Sequence, residues 1–320
     1  MNAKDPLSPY RPDEAAAITM SMQRRNKGYA YRTQAGDLRS EETLTELLAR
    51  KYSHSSQETW KCRLDAGEIE IDGVVACQDC VIRNGAWIVW HRPGWLEPAT
   101  PQTFTVEFED EWLLVVGKPS GLPTLPSGGY YLNTLLSIVR EQYASCHPVH
   151  RLGSATSGLV LFAKSKEIAS KLSQAWGHAT KRYQAIVEGC LADSEYDIRQ
   201  RIGKIFHPRL GTVHGARADG KTARTVVRPI QRHGKATEVE ATLHTGRPHQ
   251  IRIHTAAIGH PLVGDPMYSA GGGLKKDPGF PSDGGYLLHA HELEFEHPVK
   301  SGKCYVQLAS PPEFSNAVVS

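Results

Sequence analysis

Residues 150–161 read His-Arg-Leu-Gly-Ser-Ala-Thr-Ser-Gly-Leu-Val-Leu, and no other stretch constrains the chain as tightly. Gly153 and the small residues after it make a sharp turn. The hydroxyl pair Thr156-Ser157 follows, and the apolar run over 159–163 reads as a buried strand. A turn feeding a strand inside a sheet holds polar groups at the strand's end, where a rigid scaffold can fix chemistry. His150 and Arg151 place a basic pair there, and the stretch contains no carboxylate.

At 320 residues the chain can hold one large domain and a small one. Residues 1–38 are polar, with Pro6, Pro9 and Pro12 and no sustained period, which predicts a loosely ordered arm. Residues 39–100 carry a first compact pattern and a linker. Ser40 opens a helix through Leu44, Leu47 and Leu48, and Ser55 or Ser56 opens a second with Trp60 and Leu64 on one face. Residues 68–71 alternate like a strand, Asp72-Gly73 signals a hairpin, and 87–91 closes the unit. Pro93, Pro98 and Pro101 mark the linker.

From 101 to 320 strands dominate: 104–108, 112–116, 182–188, 222–230, 237–244 and 286–296. Helical spacing appears over 132–143, and another helix starts after Gly246, with Pro248 near its first position, and stops at Gly259. Residues 271–285 form a glycine-rich loop, and no repeat is visible. The fold class is α+β, dominated by one large sheet.

Net charge is only +3, but residues 181–260 hold fourteen Lys and Arg against seven acids. A local positive segment suits a polyanion. Six scattered cysteines argue against a disulfide framework and for a reducing compartment. Cys77 and Cys80 lack a second pair at zinc-finger spacing, and His249, His254 and His260 lack the i, i+4 spacing of a zinc helix, so no metal is expected. No apolar run approaches the ~18 residues of a membrane span, and the acidic N-terminus lacks a leader's apolar segment. The expected setting is cytoplasmic.

Four stretches together resemble the RluA-type RNA pseudouridine synthases. They are Lys118-Pro-Ser-Gly-Leu-Pro; residues 150–158; Lys181-Arg-Tyr-Gln-Ala with Val187 and Gly189; and residues 245–254 (Thr-Gly-Arg-Pro-His-Gln-Ile-Arg-Ile-His), continued by Gly259-His-Pro-Leu and Gly264-Asp-Pro-Met-Tyr. The resemblance implies the pseudouridine synthase fold, a large mixed, mainly antiparallel sheet with flanking helices. It also implies that the chain breaks the C1′–N1 bond of a uridine in structured RNA (rRNA or tRNA), turns the base and rejoins it through C5. No cofactor, membrane or obligate protein partner is implied, and a monomer is expected. Residues 39–100 are similar to an S4-type RNA-binding module, an arrangement common in that family.

The same resemblance assigns roles. Tyr183 packs on the flipped uracil and handles a proton. Arg252 pairs with the catalytic aspartate, and Arg151 fills the vacated stack. Arg247 and His249 flank a helix start, where positive potential favours phosphate, and Lys118 and Lys181 are further phosphate ligands. Asp265 falls at a position read as structural.

The departure is Gly153, which stands where the family's His-Arg-Leu-Asp motif carries its catalytic aspartate. A glycine can be neither nucleophile nor base. Three accounts follow: another carboxylate, such as Asp265, serves; the chain is an RNA-binding pseudoenzyme; or the glycine is an introduced change, which Ser154-Ala155, also departing from the motif, argues against. A small-molecule sugar enzyme on the same sheet needs two carboxylates ~5–9 Å apart, and the motif stretches supply only Asp265.

Overall fold

The computed structural model describes residues 21–52 and 54–316, and its contacts divide the chain into two units. The smaller comprises Arg24–Glu97 and Phe206–Thr212; the larger takes the remainder, with a division between Glu97 and Pro98.

In the smaller unit, helices Leu44–Lys51 and Gln57–Asp65 accompany a four-stranded sheet ordered Tyr29–Gln34, Trp87–Arg92, Ile69–Ile71, Val74–Val75. The first helix starts three residues later than Ser40 suggests. Thr43 accepts from the Glu46 amide while the Glu46 side chain returns to the Thr43 amide, a reciprocal cap unavailable to Ser40. Ser56, rather than Ser55, caps the second. Asp72 (φ 50°) and Gly73 (φ 84°) both take the left-handed conformation that a two-residue hairpin demands. Leu44, Leu47, Leu48, Trp60, Leu64, Ile69 and Ile88 form the core.

The expected arm needs correcting where it is described; residues 1–20 lie outside the described residues. Ser21–Met22 pairs with Thr100–Pro101, and Tyr29–Gln34 pairs along Trp87–Arg92 from Tyr29↔Arg92 to Gln34↔Trp87. A sheet-edge strand exposed at nearly every position carries no apolar period to betray it.

The larger unit is built on a ten-stranded sheet, mostly antiparallel. Its main path runs Tyr196–Ile198, Thr225–His233, Ala236–Leu243, Thr180–Glu188, Leu288–Glu296, Ser157–Ala163, Leu113–Lys118, Thr105–Glu109. Lys303–Gln307 and His147–Pro148 add to its interior strands. Ser157–Gly158 runs parallel to His289–Ala290, and there Gly158 is required: at φ 113° its Cβ would sit 2.3 Å from the Ala290 carbonyl oxygen.

Both sheet faces are covered, so the central strands read as continuous apolar runs. Leu114, Val116, Val160 and Phe162 face one cluster with helices Leu135–Gln142 and Gln250–Ala257. Leu113, Val115, Leu159 and Leu161 face another with helix Lys166–Ala175. The 132–143 helix shortens to Leu135–Gln142 because the Thr134 hydroxyl caps it. The hairpin Ile202–His207/Gly211–Ala216, alternating only weakly, is an addition to the sequence reading.

Candidate active site

The turn at Gly153 is held from below by the 118–124 loop. Lys118 Nζ donates to the carbonyls of Pro119 (2.8 Å), Leu122 (2.7 Å) and Ser154 (3.0 Å). Ser120 Oγ donates to the Ala155 carbonyl at 2.7 Å, and Thr124 Oγ1 both donates to the Leu152 carbonyl and accepts from the Leu152 amide. The expected phosphate role of Lys118 is therefore corrected: it is 2% exposed and its three protons satisfy buried carbonyls. Burial pulls its ammonium down to about 7.

Above this clamp lies a cavity of about 110 Å³ lined by residues of three elements. The turn contributes Arg151, Leu152, Gly153 and Thr156; the sheet contributes Tyr183, Leu243 and Leu288 from three strands and Tyr286 from the approach to the last; the 247–252 segment contributes Arg247, His249, Gln250, Ile251 and Arg252. Tyr183 faces Ala241 and Ala290 on its neighbouring strands, small partners that leave room for the ring. Burial pushes its hydroxyl up to about 12, so it is neutral at pH 7.

Gln250 fixes the start of the helix. Its Oε1 accepts from the Arg247 amide and Thr245 Oγ1, and its Nε2 donates to the Arg224 carbonyl and Thr225 Oγ1. His249, expected inside the helix, is its N-cap in a left-handed conformation (φ 54°), a costly one for a residue with a side chain and one concentrated at functional sites. Its Nδ1 lies 2.7 Å from Tyr268 Oη. Tyr268 spends its single proton on the His214 carbonyl at 2.7 Å, so the proton between the two rings belongs to His249. Burial, with the Arg252 charge, pushes the imidazole down to about 3. His249 is thus neutral, with Nε2 a free acceptor.

Arg252, third in the helix, is 2% exposed and gripped by Asp265, Nε to Oδ2 at 2.6 Å and Nη2 to Oδ1 at 2.8 Å. Its Nη1 lies 3.4 Å from Tyr286 Oη and its guanidinium 4.3 Å from that ring's centroid. Asp265 Oδ1 also accepts from the amides of Met267 and Tyr268. Burial works against the Asp265 charge, but Arg252 and those amides outweigh it and hold the carboxyl below its usual range.

The chain matches the family model for RNA pseudouridylate synthase over residues 112–257. It is 36% identical over 275 residues to an uncharacterized RNA pseudouridine synthase of Synechocystis, covering 84% of this chain and 94% of that one. The chain belongs to the RNA pseudouridine synthase family. It is also 32% identical to the dual-specificity RNA pseudouridine synthase RluA of Pasteurella multocida, across 68% of this chain and 96% of that protein. The fold matches human RNA pseudouridylate synthase domain containing 4, with TM-score 0.53 and 19% identity over 67% of this chain and 92% of that one.

The charge of the pocket is one-sided. Arginines, a histidine and tyrosines line it, and no carboxylate does among the described residues. Asp265 is outside the lining, its oxygens occupied behind Arg252. A Cβ at Gly153 would meet only Thr156 Oγ1 at 3.5 Å and Tyr286 Oη at 3.7 Å, ordinary contacts, so nothing in the packing demands glycine.

Of the residues singled out by sequence, Arg151, Gly153, Tyr183, Arg247, His249 and Arg252 converge on the pocket. Lys181 lies elsewhere: its ammonium donates to the Trp176 carbonyl at 3.1 Å and sits 5.2 Å from that ring's centroid, which corrects its phosphate role. His150 is not half of a basic pair. It accepts from the Leu161 amide, stacks on Trp176, and is pushed by burial to about 3. Sequence reasoning missed Tyr286 and Thr156. Thr156 was visible as a hydroxyl after the turn, whereas Tyr286 was only the head of a predicted strand.

Proposed function

We propose that the chain isomerises a uridine to pseudouridine in structured RNA, rRNA or tRNA, with the flipped base seated between Tyr183 and the Gly153 turn. The observation that carries this reading is the convergence of Arg151, Tyr183, Arg247, His249 and Arg252, drawn from separate motifs, on one base-sized pocket. The uracil leaves N1–C1′ and rejoins through C5, and the C5 proton departs, with N1 regaining one, so atoms balance without a cofactor. Tyr183 packs on the base and its neutral hydroxyl handles the proton exchanged at C5, neutral His249 offers its Nε2 to the uracil N3–H, and Arg252 stabilises negative charge on the detached base. Arg151 and Arg247 hold flanking phosphates.

The chain forms a subgroup of the RluA type in which glycine replaces the motif aspartate. The smaller unit acts as an S4-like RNA-binding module, supported by its two helices, hairpin and closing strand. The protein works as a cytoplasmic monomer; no helix among the described residues is long and apolar enough to cross a membrane. Mapping pseudouridine across rRNA and tRNA of the source organism, with and without the gene, tests the assignment. One or more sites vanish on deletion; an unchanged map, with RNA binding intact, identifies an RNA-binding pseudoenzyme instead.

A further inference from the structure

In the smaller unit, a run of four aromatic rings, Trp60, Trp90, Tyr31 and Tyr29, is flanked by guanidinium groups. Trp60 and Trp90 meet edge-on with centroids 5.0 Å apart, and Arg63 packs against both, 4.4 Å from the Trp60 centroid and 4.1 Å from that of Trp90. Trp90 stacks on Tyr31 across the strand pair, with centroids 5.3 Å apart and planes inclined by 22°. Tyr31 meets Tyr29 edge-on at 4.8 Å. Opposite Tyr29 in the register is Arg92, whose guanidinium sits 3.5 Å from the Trp95 centroid. The inner end packs into the core beneath the two helices, while Tyr29 and Tyr31 remain 43% and 40% exposed.

The field over this ledge is positive. His54 is held below its ordinary value by burial and then by the charges of Arg63 and Arg92. Residues 22–32 contain Arg24, Arg25, Lys27 and Arg32 and no acid. Of nearby carboxylates, Glu68 accepts from Trp90 Nε1 at 2.8 Å, and Glu97 is buried and accepts from Asn26. Exposed rings hold planar ligands; surrounding cations demand an anionic one. Unpaired nucleotides meet both requirements, because every base has a π-face and each carries a phosphate.

We infer that Tyr29, Tyr31 and Arg92 form a stacking platform for unpaired RNA nucleotides, separate from the uridine pocket. This rests on the RNA reading above and names the part of the substrate the smaller unit holds: a single-stranded segment rather than a duplex. Tyr29 and Tyr31 present ring faces, and Arg92 supplies a stacked charge for the backbone.

The test uses the full chain and fluorescence anisotropy with a labelled decauridylate, a blunt RNA duplex of ten base pairs, and a polyglutamate competitor. The native protein binds decauridylate more tightly than duplex. Replacing both rings (Tyr29→Ala with Tyr31→Ala) weakens decauridylate binding at least about tenfold, whereas Tyr29→Phe with Tyr31→Phe keeps it within about twofold. Should the alanine pair unfold, Arg92→Gln substitutes for it and weakens binding about fivefold or more. Equal affinity for strand and duplex, full affinity after ring removal in a folded protein, or displacement by polyglutamate as effective as by RNA overturns the platform. These are binding measurements, so a protein that binds decauridylate as described yet forms no pseudouridine overturns the isomerase reading and leaves the platform standing.

Discussion

Asp265 holds Arg252 through two hydrogen bonds, of 2.6 and 2.8 Å, in a pair whose side chains are 0% and 2% exposed. The acid most readily suspected of replacing the missing nucleophile is thereby committed to aiming the guanidinium. Breaking a buried pair strands a charge, so Asp265→Asn lowers unfolding free energy by about 3–5 kcal/mol, measured by urea denaturation.

The same pair sets a pH dependence. Asp265 is depressed in the folded protein, so its contribution to stability is complete above the unfolded carboxyl value of ~4 and is lost as pH falls through the lower folded value. Urea midpoints followed downward from pH 6 fall more steeply for the native chain than for Asp265→Asn; parallel profiles contradict this assignment.

Room at position 153 predicts that Gly153→Ala changes stability by no more than about 0.5 kcal/mol, since its new methyl group meets only ordinary contacts. Gly153→Asp introduces the carboxylate beside Tyr286 and Arg252. Loss of a nucleophile in an enzyme costs on the order of 10⁶ in kcat, and binding and electrostatics leave a residual rate about 10³–10⁴ above that in water. Single-turnover assays are expected to show the aspartate form faster by about 10³ or more.

Arg151 makes no hydrogen bond or ion pair among the described residues, whereas Lys118 spends its charge on three carbonyls. Arg151→Gln should therefore reduce the slope of log affinity for RNA against log salt by about 1. Lys118→Met should leave that slope unchanged while costing about 2 kcal/mol or more of stability through stranded carbonyls. A changed slope in Lys118→Met would restore its phosphate role.

The fixed tautomer of His249 makes its Nε2 an acceptor, the group that tells uracil N3–H from the bare N3 of cytosine. His249→Phe preserves a ring but removes the acceptor, and should raise KM for the target RNA about fivefold or more without changing unfolding by more than the loss of one hydrogen bond to Tyr268.

Much of the site was legible because its residues sit in contiguous runs whose chemistry is unusual, such as Arg-Pro-His-Gln-Ile-Arg at 247–252. The central strands announced themselves by apolar runs covered on both faces. What the chain order concealed was direction. Lys118 and Lys181 look like phosphate ligands in sequence, and only the fold shows their ammonium groups turned onto the carbonyls of Pro119, Leu122 and Ser154 and of Trp176. Tyr286 is separated from Gly153 by more than a hundred residues, and a parallel strand contact brings them together. The Tyr29–Gln34 strand escaped because edge pairing needs backbone, not an apolar pattern.

The most direct test of the isomerase account is release of tritium from the C5 position of [5-³H]uridine-labelled rRNA and tRNA incubated with the purified chain. Release should rise to a plateau of one or a few equivalents per RNA, and Tyr183→Phe should slow it at least about tenfold. No release above the protein-free control, from RNA that the chain demonstrably binds, would contradict the account.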